Sequence, residues 1–185
     1  MQKKISGKYK RTQNQPNDLD WFHTHAHSKY SWLDGMGSVS ELVAKAVTQN
    51  QPALTLTEHG VLSSAFELYK ECKKNNIKPF IGSELYFSFD ATDDELKKTR
   101  YHLILIALNT DGYKSLVQLN NKSHTRESYH RKPLIDWTDL EKLSETGESK
   151  NLVLLTGCFF GLIQQPMLNQ GLNQAEAILN RLSSL

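Results

Sequence analysis

The chain has 185 residues, with 22 Lys and Arg against 20 Asp and Glu, and 38% of it is hydrophobic. That length holds one domain with a real core, no apolar run is long enough to cross a bilayer, and a net charge of +2 excludes a surface that traps polyanions over its whole extent. Two cysteines, Cys72 and Cys158, make neither a disulfide framework nor zinc-ribbon spacing, and they fit a reducing cytoplasm.

Residues 1–19 carry Lys3, Lys4, Lys8, Lys10 and Arg11 with no apolar core that would make a secretory signal. They are expected to be a solvated, disordered basic leader, the sharper alternative being an arm that touches nucleic acid. Residues 18–25 read as a first strand. Residues 38–50 read as a helix with Val39, Leu42, Val43, Ala46 and Val47 on one face and a Ser38–Glu41 capping box. "ALTLTEH" (53–59) is a second strand. Residues 62–76 are a helix expected to turn Leu62, Ala65, Phe66, Tyr69 and Cys72 inward.

Residues 79–89 read as a third strand, 90–100 as a charged loop, and "YHLILIAL" (101–108) as a fourth strand buried on both faces. A helix over 111–123 and a short one over 136–143, capped by Asp136, come before a fifth strand at 151–157. Residues 159–168 and 173–182 are helical, broken at Gly171. Strand and helix alternate, which predicts a parallel α/β sheet, open or closed into a barrel. No closing strand follows the last helix, so the chain reads as cut short.

In such folds chemistry gathers at the carboxyl ends of strands. His25 and His27 close the first strand, His59 closes the second, Glu84 lies in the third, and Asp34 and His124 stand in loops. His102 departs from the rule, because it opens a strand. A His-x-His pair on a strand projects both rings to one face, and imidazole with carboxylate suits zinc, manganese or iron. Asp34 or Glu84 can bridge two metals. Singly, each histidine is an ordinary surface or core residue, and His130 is read so. Several strand ends supplying ligand-type residues together have no structural need behind them. Cys158 lies within reach of the same rim but reads as a buried free thiol, and Cys72 as core. Phosphate-loop, Gly-x-Ser-x-Gly and His-Glu-x-x-His motifs are absent. Of the three tryptophans, Trp21 and Trp137 suit packing, and Trp32 is the one placed to stack on a base.

The segments "FHTHAHSKYSWLDG", "PALTLTEHG", "AFELYKECKKNNIKPFIGSELYF", "YHLILIALNTDGYKSLVQL", "SHTRESYHRKPLID" and "LVLLTGCFFG" resemble the polymerase and histidinol phosphatase (PHP) domain. The form is that found at the N-terminus of bacterial replicative DNA polymerase III alpha subunits. The resemblance runs from about Trp21 to the end, so residues 20–185 are expected to be the PHP domain. It implies a distorted β/α (TIM-like) barrel, incomplete at its C-terminus, with up to three divalent metal ions (zinc, manganese or iron) at the strand ends. The implied ligands are His25, His27, Asp34, His59, Glu84, His102 and His124, with Asp34, Glu84 and His59 catalytic; His23 opens the motif without binding metal.

Where the site is complete, the resemblance implies a metal-dependent phosphoesterase or 3′–5′ exonuclease in DNA replication. Its partners are a DNA single strand or primer end, the rest of the polymerase and other replisome subunits. Two departures stand out. Glu58-His59 occupies the place of the usual Asp-His, with Glu58 expected behind the ligands, orienting a ring. The last Asp-x-His motif and the polymerase palm lie beyond this sequence, which leaves turnover by this chain open. The alternatives are a stand-alone phosphatase on a small phosphate monoester, and a catalytically silent interaction module.

Overall fold

A computed structural model describes residues 21–185; the basic leader, and the start of the expected first strand, lie outside the described residues. Helix α1 (Val39–Thr48) begins at the capping box read from the sequence: the Ser38 hydroxyl accepts from the Glu41 N–H, and the Glu41 carboxylate accepts from the Ser38 N–H. It buries Val39, Val43 and Ala46, a narrower stripe than expected. Strand β1 (Ala53–His59) leads to α2 (Ala65–Asn75), which ends at Asn76 in the left-handed region. Strand β2 (Lys78–Phe87) and strand β3 (Tyr101–Ala107) follow, then α3 (Thr110–Ser123). A short hairpin, β4 (Tyr129–His130) and β5 (Lys132–Ile135), turns at Arg131 with φ 60°. Its four-residue second strand was not anticipated. Helix α4 (Trp137–Glu145) starts at Asp136 in a second capping box; β6 (Leu152–Leu155), α5 (Gln164–Gln170) and α6 (Leu172–Ser183) complete the order.

The sheet is mixed and open, in the order β4-β5-β2-β3-β6, with β1 paired to β2. β1 and β5 run parallel to β2 and share one of its edges in succession, while β3 lies antiparallel on the other edge and β6 antiparallel to β3. The all-parallel expectation therefore fails at β3. Residues 90–100 hold only a single turn of 3-10 helix, and a parallel return needs a longer crossover, usually a helix. A charged loop without a helix was the signal of a reversed strand. Barrel closure is not seen: among the described residues β6 pairs with β3 alone.

The first strand also departs from expectation. Residues 21–27 are irregular, tied to β1 by Thr55 N–H to the His23 carbonyl (3.2 Å) and Thr57 N–H to the Ala26 carbonyl (2.9 Å). Three residues on one side span two on the other, so the regular alternation breaks there.

Two apolar clusters hold the sheet. Leu85 and Phe87 of β2 and Tyr101, Leu103 and Leu105 of β3 pack with α3, α4 and Ile178 of α6. Leu54 and Leu56 of β1 pack with Val39, Val43, Leu68 and Cys72. Strand alternation then sends Glu84 and Tyr86 of β2, and His102 of β3, to the face opposite the first cluster. Helix α2 is rotated from its expected setting: Ala65, Leu68 and Cys72 are buried, while Phe66 is 73% and Tyr69 47% exposed. Leaving Phe66 in water forgoes roughly 2 kcal/mol of burial.

Candidate metal centre

Register brings the ligand types together. Glu84 on β2 lies opposite His59 on β1 in the parallel pair. His102 opens β3, but β3 is reversed and pairs His102 with Tyr86, two residues beyond Glu84. The one histidine that broke the strand-end rule in the sequence therefore obeys it in space. The irregular segment 21–27 carries His25 and His27 along β1 to the same point.

Glu84 is the hub, 1% exposed. Its Oε1 lies 2.5 Å from His102 Nδ1, and its Oε2 2.9 Å from His27 Nε2, 3.1 Å from His59 Nδ1 and 3.7 Å from His25 Nε2. Asp34 Oδ2 approaches His59 Nε2 at 2.9 Å and His27 Nε2 at 3.8 Å. Despite these approaches, both Glu84 oxygens and His59 Nδ1 are buried without a hydrogen bond of proper angle. Buried polar atoms in folded proteins nearly always have a partner, and ring nitrogens that converge with carboxylate oxygens instead of bonding them are what a cation would ligate. Three groups have donor atoms within 4.8 Å of one another: His25, His27 and Glu84; His27, Asp34 and His59; and Glu84, His102 and Cys158. The donor set fits divalent zinc, manganese or iron.

The electrostatics are those of a crowded acid among bases. Burial alone would raise the Glu84 pKa, yet the imidazoles of His102, His27 and His59 hold it well below the usual carboxylate range. His59 is raised, first by the facing Glu84 against the effect of burial, then by Asp34. His25 is lowered by burial, which outweighs the attraction of Glu84.

The rings are steered from behind. His25 Nδ1 lies 2.7 Å from the Thr57 hydroxyl, and His27 Nδ1 3.1 Å from that of Ser31. Ser31 also accepts the His59 N–H at 3.1 Å. Glu58, wholly buried, accepts the Ser28 N–H, and the Ser28 and Ser31 hydroxyls at 2.5 Å each. Its carboxylate bonds Ser28 and Ser31 and so braces the loop between His27 and Asp34. That loop closes tightly: a Cβ on Gly35 would collide with the Ser28 carbonyl. It leaves Trp32 88% exposed beside Asp34.

His124 stands apart from the three groups, and the expectation for Cys158 needs correction. His124 caps α3, is exposed, and its Nδ1 donates to the Asn120 carbonyl at 2.8 Å. Cys158 is not buried: it is exposed, with Sγ 3.6 Å from His102 Nδ1. The reversal of β3 is again the cause, since the His102 carbonyl accepts from the Leu162 N–H and the His102 N–H donates to the Phe160 carbonyl, pinning the 156–161 turn beside the site. The helix expected from residue 159 begins only at Gln164. Cys72 is core as expected, its thiol pushed up to about 12 by burial.

The profile of the PHP domain matches residues 23–185. The chain belongs to the PHP domain family. The PHP match takes in every residue of the centre. The chain is 43% identical over 80% of its length to the DNA polymerase III subunit alpha of Borreliella burgdorferi, and 42% identical over 81% to that of Chlamydia trachomatis. It is 34% identical over 88% of its length to that of Thermus aquaticus. It spans 12–13% of the length of these relatives. Among solved structures, a metal-dependent phosphoesterase from Bifidobacterium adolescentis aligns over 87% of this chain and 55% of its own at 13% identity (TM-score 0.39). An amidohydrolase from Chromobacterium violaceum aligns over 86% and 54% at 14% (TM-score 0.41). No helix among the described residues of this PHP domain is long and apolar enough to cross a membrane.

Proposed function

We propose that this PHP domain is a metal-dependent phosphoesterase that works on a DNA strand end, in the cytoplasm, as part of a replicative polymerase alpha subunit alongside other replisome subunits. The observation that carries the reading is Glu84, buried without a hydrogen bond of proper angle and faced by four imidazoles. His25, His27, Asp34, His59, Glu84, His102 and Cys158 would hold the ions. When bound, divalent ions polarise a phosphoryl oxygen and lower the pKa of water. Glu84 belongs to two of the three ligand groups and ties them together; His27, Asp34 and His59 make up the third. Ser31, held by Glu58, steadies the His27 ring and the His59 backbone N–H without touching substrate. Trp32, beside Asp34, offers a face on which an unpaired base stacks, which favours a nucleotide chain over a small monoester. Completion of a barrel would take further strands at the edge of β6.

The test is hydrolysis of a 5′-labelled single strand and of a small phosphate monoester, each with manganese or zinc. Shortening of the strand, lost in His27→Ala, with little turnover of the monoester, is expected. Faster turnover of the monoester would reassign the site to a phosphatase. A metal-replete sample inert toward both would make it a silent interaction module.

A further inference from the structure

A second surface lies at the other end of the sheet. A groove of about 400 Å³ is formed by Phe66 and Tyr69 of α2, Lys78 and Phe80 of β2, and Leu108 and Tyr113 beyond the end of β3. Phe80 stands four residues before Glu84, about 13 Å along the strand, on the side away from the metal centre's strand ends. Core packing does not account for this groove: α2 has its buried stripe in Ala65, Leu68 and Cys72, and its two aromatics point outward.

Three of its four rings, Phe66, Tyr69 and Phe80, each carry a cation. Lys70 Nζ lies 5.5 Å from the Phe66 ring centre, Lys73 Nζ 5.8 Å from Tyr69, and Lys78 Nζ 4.5 Å from Phe80. The neighbouring acids are engaged elsewhere: Glu67 accepts from the Tyr30 hydroxyl at 3.0 Å, and Glu71 pairs with Lys74 at 3.6 Å. None of Lys70, Lys73 and Lys78 has a carboxylate partner among the described residues. Phe80 already takes one ring flat against it, Phe22 at 5.3 Å and 8°.

We propose that this aromatic and lysine face, formed by Phe66, Tyr69, Phe80, Lys70, Lys73 and Lys78, is a binding platform for single-stranded nucleic acid, separate from the metal centre. Flat rings interleaved with unpaired ammonium groups match a chain of stacked bases joined by phosphates. An apolar protein segment would leave three ammonium groups facing it without an anion.

The test is fluorescence anisotropy of a fluorescein-labelled oligothymidylate with the 185-residue chain in EDTA, which silences metal chemistry. Binding that weakens with salt is expected. Phe66→Ala and Tyr69→Ala should each weaken it about 5- to 150-fold, and Lys70→Gln with Lys73→Gln should flatten the log–log salt slope by about 1.4. These side chains are exposed, and circular dichroism checks that the variants fold. His25→Ala should bind as the wild type does, so failure of the phosphoesterase reading leaves this one intact. No binding at low salt would overturn the proposal. So would wild-type binding by the aromatic variants, or loss of binding only when Lys3, Lys4, Lys8 and Lys10 are neutralised. Phe66→Ala that abolishes self-association but spares oligothymidylate binding would mark the face as an interface between copies instead.

Discussion

Replacing Glu58 with Gln tests whether the brace behind the metal centre is what sets it. The carboxylate accepts the Ser28 N–H and the hydroxyls of Ser28 and Ser31, with no solvent to compensate. Hydrogen bonds to a charged group contribute roughly 1.5–3 kcal/mol each. Gln keeps the shape and one acceptor oxygen but loses the charge and turns an amide N–H₂ toward a donor. One to two such bonds are lost, about 1.5–6 kcal/mol from a domain whose total stability is about 5–15 kcal/mol. The same change frees the Ser31 hydroxyl, which contacts His27 Nδ1 and the His59 N–H, and metal affinity should fall about 10- to 100-fold. Urea unfolding in EDTA reads the first effect apart from the second, which is read by zinc titration against a chelating dye. A Glu58→Gln protein within about 0.5 kcal/mol of wild type and with unaltered zinc affinity would refute the reasoning.

His27→Ala should lose zinc and the thermal shift that zinc confers, because metal binds the folded form alone. His124→Ala should keep both, since its ring lies outside the three groups of converging donors; elemental analysis of the two variants decides. Cys158 should be alkylated readily in the chelated protein and be protected by zinc, while Cys72 reacts only on unfolding; mass spectrometry of labelled peptides checks this, and equal labelling of Cys158 with and without zinc would remove it from the ligand set. Cys72 also makes stability depend on pH. Its folded pKa is raised from 9.0 to about 12, so the unfolded chain sheds the proton first and the contribution, intact below pH 9, is lost as pH rises. Wild type should lose up to about 1.4 kcal/mol per pH unit above pH 9 relative to Cys72→Ala, measured by urea midpoints.

Much of this protein was legible locally. The capping boxes at Ser38–Glu41 and Asp136 rest on contacts within four residues, so the sequence alone placed the starts of α1 and α4. β1 was legible from its apolar and β-branched run, and the candidate ligands His25, His27, Asp34, His59, Glu84 and His102, singled out by type and order, fall within the three groups of converging donors. Tertiary structure decided what depends on partners distant in the chain. Whether β3 runs with β2 or against it is set by pairing across the sheet, and that reversal carried His102 to the strand ends and pinned Cys158 beside it. Cys158 lands within reach of Glu84 and His102 while His124 lands outside the three groups, because where a donor atom falls is set by packing between residues distant in the chain. The facing of α2 followed suit. Its periodicity allowed more than one stripe to turn inward, and packing against β1 chose Leu68 over Phe66 and Tyr69, leaving two aromatics in water.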